Sequence, residues 1–116
     1  MSVRSITAAA CTAAAVFSGL VVVGGSASAQ DVAAGRRKAV ACQVCHGLDG
    51  IAKLPDAPNL AGQPAAYLVR ELNAYRSGAR KSEVMAVAAK TLNDQDIRDL
   101  SAYYAAIQIE VKAMPQ

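Results

Sequence analysis

The chain has 116 residues, of which 53% are hydrophobic and 18% charged, and its formal net charge is +3. This length allows one ordinary domain and excludes a multidomain enzyme or a large barrel. The charge is small and no basic stripe with interleaved aromatic residues occurs, so we expect no nucleic-acid partner.

The first 29 residues have the pattern of a secretory signal peptide. A short positive region, Met1 to Arg4, precedes an uncharged apolar run from Ile6 to Val23, and Ala27-Ser28-Ala29 is a small-residue cleavage pattern. We therefore predict a signal peptide over residues 1–29 and one mature domain over residues 30–116. The alternative is an uncleaved anchor, because the apolar run just reaches the length that a membrane-spanning helix needs.

The first half of the mature chain predicts two helices separated by a loop. Asp31 is a suitable N-cap for a helix from about Val32 to Cys42. Residues 47–63 are rich in Gly and Pro and predict a loop. Pro64 suits the first position of a second helix, which ends near Gly78.

The second half predicts two more helices. A short one is expected from about Ser82 to Lys90, and Asn93 with Asp96 forms the capping-box pattern of a last helix. No segment alternates like a strand, so the predicted fold class is all-α. Two apolar stripes at helical spacing support this prediction: Tyr67, Leu68, Leu72 and Tyr75 in the second helix, and Ile97, Leu100, Tyr104 and Ile107 in the last.

Cys42, Cys45 and His46 form the spacing C-x-x-C-H, which in an exported protein is typical of covalent haem attachment. Two thiols on one turn can reach two vinyl groups on one edge of a porphyrin, and the adjacent imidazole can bind the iron. The alternatives are a thioredoxin-like pair, which needs a βαβ context; a disulfide, which closes too small a loop to stabilise much; and zinc, which needs a fourth ligand. We favour one haem c with its iron, which would also complete a thin core.

The second axial ligand of such an iron is expected to be Met85. His46 is the only histidine, so two imidazole ligands from one chain are excluded. Met85 lies in the middle of the domain, whereas Met114 lies in the C-terminal tail, where chains are usually mobile. The alternatives are Met114, or an iron that binds water or nothing on that side.

With these motifs, the chain resembles the class I c-type cytochromes, specifically the small bacterial monohaem type, and also the cytochrome subunits of periplasmic dehydrogenases. The resemblance rests on C-x-x-C-H, Pro58-Asn59-Leu60-Ala61-Gly62, Gly78 to Met85 and Asp94 to Tyr104, in that order. It implies a small cytochrome c fold of three to five helices wrapped around one covalently bound haem, with crossing N- and C-terminal helices. It also implies that the exported domain lies in the periplasm.

The resemblance assigns roles to residues of the site. Cys42 and Cys45 would carry the haem, His46 would be the proximal iron ligand and Met85 the distal one. The carbonyl of Pro58 would accept a hydrogen bond from Nδ1 of His46 and so fix the orientation of the ring.

Further matches concern packing and the haem propionates. Gly35 matches the glycine at which the two terminal helices cross, and Leu100 and Tyr103 match the residues packed against it. Candidates for hydrogen bonds to a propionate are Tyr67, Tyr75 and Arg80.

The predicted function is electron transport in the periplasm rather than catalysis. No catalytic residues and no small-molecule substrate are expected. The expected partners are periplasmic redox proteins, whether dehydrogenase, oxidase or reductase, with transient contact with membrane-bound respiratory complexes and docking next to Gln43 and Val44. Two alternatives stay open: a dedicated electron-accepting subunit of a periplasmic dehydrogenase complex, and an open-iron gas-binding or peroxidase-type haem protein.

Overall fold

The computed structural model describes residues 29–115, which form five helices. These helices are α1 (Val32–Ala39), α2 (Gln43–His46), α3 (Ala65–Ser77), α4 (Glu83–Lys90) and α5 (Asp94–Ala106). No strand occurs within 29–115, so the all-α prediction is confirmed. None of the helices in this range is long and apolar enough to cross a membrane. The predicted signal peptide lies outside the described residues, apart from Ala29.

The first predicted helix is shorter than expected, and a separate helical turn follows it. α1 ends at Ala39, the chain turns over residues 40–42, and α2 begins only at Gln43. In the turn, the backbone N–H of Cys42 donates to the carbonyl of Ala39 at 2.9 Å, a short-range bond that tightens the chain. The prediction of one helix as far as Cys42 was therefore wrong, and C-x-x-C-H occupies a separate single turn.

Three helices start at side-chain caps that the sequence predicts or allows. Asp31 and Ser82 accept backbone N–H groups at the starts of α1 and α4. Asn93 and Asp96 form the full capping box of α5, with the two bonds at 2.8 and 3.0 Å. Such caps satisfy N–H groups that the first turn of a helix leaves unpaired.

The start of α3 differs by one residue from the prediction. Pro64 has extended backbone angles and stands before the helix, whose first residue is Ala65. The proline still supports the helix start because it has no N–H group to leave unpaired. At the other end, Gly78 closes α3 in the left-handed conformation, near the predicted boundary.

α1 and α5 cross in direct backbone contact at Gly35. A Cβ atom at this position would lie 2.6 Å from the carbonyl carbon of Asp99 and 2.8 Å from Cβ of Tyr103, which leaves no room for a side chain. The expected crossing and the contact with Tyr103 are confirmed, whereas Leu100 packs in the core beside Ala39. An ion pair of 2.5 Å between Lys38 and Asp96 also joins the two helices.

The buried core is small. Its central cluster consists of Ala39, Leu68, Leu100 and Tyr104, which come from α1, α3 and α5. Of the predicted stripe on α3, only Leu68 belongs to it; Leu72 and Tyr75 are half-buried, and Tyr67 is 36% exposed. These residues face a cavity, which is described below.

We predict that Gly35→Ala destabilises the protein by about 2 kcal/mol, the typical cost of overpacking a tight contact. The added methyl group would have to push α1 away from the backbone of α5. Denaturant unfolding of the purified protein measures the loss. Gly78→Asn is the matched control: Asn tolerates the left-handed conformation, and the site has no neighbouring atom within 4 Å. An equal loss in both variants would contradict the account of the crossing.

We also predict an acid-dependent contribution from Asp96. A hydrogen bond from Lys38, followed by one from the backbone of Asn93, lowers the pKa of Asp96. A lowered pKa means that the carboxylate stabilises the fold at neutral pH and that this stability is lost as the pH falls below about 4. Asp96→Asn should therefore cost about 1 kcal/mol at neutral pH and almost nothing in acid.

Unfolding curves at several pH values test this prediction, with Glu110→Gln in the exposed tail as the control. A loss of stability in Asp96→Asn that does not change with pH would show that the carboxylate charge is irrelevant.

Candidate functional site

His46 lies at the end of α2 with its ring held in one orientation. The side chain is 8% exposed, and its Nδ1 is 2.9 Å from the carbonyl oxygen of Pro58. A carbonyl can only accept a hydrogen bond, so Nδ1 carries the proton and donates it. In the neutral imidazole, this tautomer leaves the lone pair on Nε2, which is the form in which imidazole binds a metal.

The loop that carries Pro58 is tied to itself and to α2. The backbone N–H of Lys53 donates to the carbonyl of Cys45 at 2.8 Å, and the backbone N–H of Ala52 donates to Oδ1 of Asn59 at 2.7 Å. These bonds place the carbonyl of Pro58 beside the imidazole although the two residues are 12 positions apart.

Two tyrosines of α5 hold the backbone that follows His46. The hydroxyl of Tyr103 donates to the carbonyl of Leu48 at 2.7 Å, and that of Tyr104 donates to the carbonyl of Gly47 at 3.3 Å. Burial raises the pKa of Tyr104 well above its usual range, so its hydroxyl remains a donor. Sequence patterns indicate only the packing of these rings, because no local signal identifies an acceptor more than fifty residues away.

Cys42 and Cys45 are half-buried free thiols on the same turn. Burial, reinforced by the neighbouring Cys45, raises the pKa of Cys42. Within residues 29–115, no three His, Cys, Asp or Glu side chains are grouped so that they could hold a metal ion by themselves.

A cavity of about 350 Å³ lies beside α2. Cys42, His46, Pro58 and Met85 all line it, so the structure brings four of the five predicted site residues to one cavity. Cys45 is on the same turn as Cys42 but is not a lining residue. The rest of the lining is mainly apolar and includes Leu60, Leu68, Leu72, Ala88, Ala89, Leu92 and Leu100.

Met85 and Met114 occupy very different surroundings. Met85 is half-buried in the first turn of α4, where its backbone N–H donates to Oγ of Ser82 at 3.3 Å. Met114 is 76% exposed in the tail and does not line the cavity. Only Met85 is therefore placed to act together with His46.

One polar group of the cavity lining contains Glu71 and Arg80. The carboxylate of Glu71 accepts a hydrogen bond from Arg80 at 2.7 Å, and the guanidinium of Arg80 lies 4.7 Å from the centre of the Tyr75 ring. Tyr67 also lines this part of the cavity. The three candidates for propionate binding, Tyr67, Tyr75 and Arg80, thus lie together.

The residues of the cavity fit a covalently attached haem. The imidazole of His46 and the thioether sulfur of Met85 are available as iron ligands, and the thiol of Cys42 lines the same cavity. The apolar lining suits a porphyrin, and the positive charge of Arg80 suits the propionate groups of a haem. A volume of this size is also in the range of ordinary ligand pockets.

Comparisons with known proteins agree with this fit. Residues 32–107 match the family model described as Cytochrome c. Cytochrome c-554(548) of Halomonas halodenitrificans is 46% identical over 81 residues, which cover 67% of this chain and 98% of that protein. A crystal structure of cytochrome c4 from Pseudomonas stutzeri has a TM-score of 0.63 and 36% identity, over 67% of this chain and 46% of that one.

A structure of thiosulfate dehydrogenase from Marichromatium purpuratum has the same TM-score of 0.63 and 36% identity, but the match covers 68% of this chain and only 20% of the other. The chain thus spans nearly the whole of one relative and less than half of each of the two solved chains. The similarity in structure confirms the predicted small cytochrome c fold.

We predict that the chain cannot fold without its cofactor. Replacing both Cys42 and Cys45 by Ser should abolish covalent haem attachment and leave the cavity without its apolar contents, and a small core does not compensate for that loss. Circular dichroism should show a large loss of helix relative to the unmutated protein. Native-like helix content with cooperative melting in the haem-free variant would contradict this prediction.

Proposed function

The chain belongs to the cytochrome c family, and from this membership we propose that it is a monohaem carrier of single electrons in the periplasm. It is an electron-transfer protein rather than an enzyme, and covalently bound haem c with its iron is the cofactor of the family. The observation that supports the site assignment is the single cavity that both His46 and Met85 line.

We assign four residues to the cofactor. Cys42 and Cys45 would form the thioether bonds, His46 would bind the iron through Nε2 on the proximal side, and Met85 would bind it through its sulfur on the distal side. When bound, the haem supplies one-electron redox chemistry, with a potential that Met ligation raises. Pro58 keeps the imidazole in the correct tautomer, and the apolar lining excludes water.

The ligands sit on elements that hold them in place. The bonds from Tyr103 and Tyr104 secure the backbone next to His46, and the Ser82 cap secures the turn that carries Met85. Ligands held in this way would keep their positions when a bound haem changes its oxidation state, which would favour electron transfer with little reorganisation.

We propose one haem per chain. The sequence contains one C-x-x-C-H motif and one histidine, so a second haem would have no matching attachment site or imidazole ligand. We also propose cleavage of the signal peptide after Ala29 and export to the periplasm. The intact mass of the exported protein tests the number of haems and the cleavage site. It should equal the mass of a chain that begins at Gln30 and carries one haem.

Redox proteins are the partners of this chain, and we propose that they dock beside the attachment turn. Val40 and Val44 are 52% and 72% exposed on either side of Cys42, which offers an apolar contact. Arg36 and Arg37 are exposed on the adjacent α1. With so small a net charge, the association rate should fall only moderately with salt.

A second candidate function is that of a dedicated subunit of a dehydrogenase. The similarity to part of a thiosulfate dehydrogenase structure favours it. A dedicated subunit would co-purify with a catalytic chain at constant stoichiometry, whereas a free carrier would elute alone and react with its donor in a second-order step.

We predict that Met85→Ala opens the iron of the holoprotein. The variant should lose the long-wavelength charge-transfer band of ferric haem with a sulfur ligand, its reduction potential should fall, and its reduced form should bind carbon monoxide. Absorption spectra and a redox titration measure these changes. Met114→Ala is the matched control and should behave like the unmutated protein, because Met114 is exposed in the tail.

Two results would contradict the carrier assignment. An unchanged spectrum and potential in Met85→Ala would show that Met85 is not the ligand. Ready binding of carbon monoxide by the unmutated reduced protein would favour the open-iron alternative.

A further inference from the structure

Two side chains of α5 bind the backbone around the proposed cleavage point. Oδ1 of Asp99 accepts a hydrogen bond from the backbone N–H of Asp31 at 2.9 Å. Nε2 of Gln95 donates to the carbonyl of Ala29 at 3.1 Å and to Oδ1 of Asp99 at 2.7 Å. A carboxylate and an amide that contact each other thus bind the residues on both sides of Gln30.

Asp99 is an unusual carboxylate because it is buried without a cation. It is 3% exposed, and it forms no ion pair with any side chain in residues 29–115. Its two donors are neutral N–H groups. A buried charge is costly unless an opposite charge accompanies it.

The nearby cations do not pair with Asp99. Lys38 of α1 pairs with Asp96, and Arg98 of α5 donates to Oε1 of Gln95 at 2.7 Å. The carboxylate of Asp31, at the same end of α1, caps the N–H of Ala34. A cation placed next to Asp99 would supply the counter-ion that this carboxylate lacks.

We propose that Asp99, held in position by the hydrogen bond from Gln95, binds the ammonium group that signal-peptide cleavage creates on Gln30. This inference rests on the processing step of the proposed function. Hydrolysis of the Ala29–Gln30 bond consumes one water, leaves a carboxylate on Ala29, and leaves an amine on Gln30 that is protonated at neutral pH. The amine appears inside the site, because Gln30 N is bonded to the carbonyl that Gln95 binds and Gln30 directly precedes the N–H that Asp99 binds.

The charge balance supports this assignment. A positive charge at the N-terminal end of α1 is unfavourable by itself, since it meets the positive end of the helix dipole. Asp99 offsets this repulsion and gains the counter-ion that it lacks in the uncleaved chain. Cleavage thereby strengthens the attachment of α1 to α5, close to the crossing at Gly35.

The N-terminal residue provides its own test. Glutaminyl cyclase converts an N-terminal Gln to pyroglutamate: the amine attacks the side-chain amide carbon, ammonia leaves, and the positive charge is lost. The experiment compares the cyclised and the free-amine holoprotein in the unmutated chain and in Asp99→Asn, with the loss of ammonia checked by intact mass. In the unmutated protein, cyclisation should raise the unfolding equilibrium constant about 10-fold, as expected for a lost charge-assisted hydrogen bond.

In Asp99→Asn the same cyclisation should have almost no effect, since Asn keeps an acceptor for Asp31 but has no charge. An equal effect in both backgrounds would overturn the inference. NMR titration of Gln30 in the unmutated protein covers the case in which the variant does not fold. The pKa of the amine should lie above its ordinary range of about 7.7–8.0, and a value within or below that range would overturn the inference.

Failure of the inference can be distinguished from failure of the proposed function. An intact mass that places the mature N-terminus elsewhere would overturn the ammonium site. The haem assignment would be unaffected, because the spectra of Met85→Ala do not depend on the N-terminus.

Discussion

The apolar cavity beside α2 is the constraint on which the rest of the structure depends. A chain this short buries only a few side chains completely, and the central cluster of Ala39, Leu68, Leu100 and Tyr104 is too small to account for a stable domain. α3 and α4 both turn apolar residues toward the cavity. The fold therefore needs a large apolar group in the cavity to complete its core, and the C-x-x-C-H motif supplies the means of attaching such a group.

Beside this cavity, hydrogen bonds hold the imidazole of His46 and the backbone that follows it in position. The carbonyl of Pro58 sets the tautomer of His46, and the hydroxyls of Tyr103 and Tyr104 hold the carbonyls that follow it. α5 thus has two tasks, since it also crosses α1 at Gly35, and Tyr103 takes part in both. The inferred ammonium site would extend this second task by fastening the processed N-terminus to the same helix.

Local sequence patterns predict much of the fold, because in these cases the residues that interact are close in the sequence. The capping box of Asn93 and Asp96 and the C-x-x-C-H turn involve neighbours in the sequence, so the pattern contains the interaction. The break after Ala39 was missed, because nothing in the residues 40–42 disfavours a helix.

The remaining features depend on distant parts of the chain. The stripe on α3 was found correctly, but only the structure shows that Tyr67, Leu72 and Tyr75 line a cavity rather than a protein core. Likewise, no pattern links Gln95 and Asp99 to residues 29–31. The most direct test of the central claim is iron X-ray absorption spectroscopy on the purified holoprotein in both oxidation states. The account predicts nitrogen neighbours plus one sulfur at bonding distance from the iron in each state, and an iron shell without sulfur would contradict it.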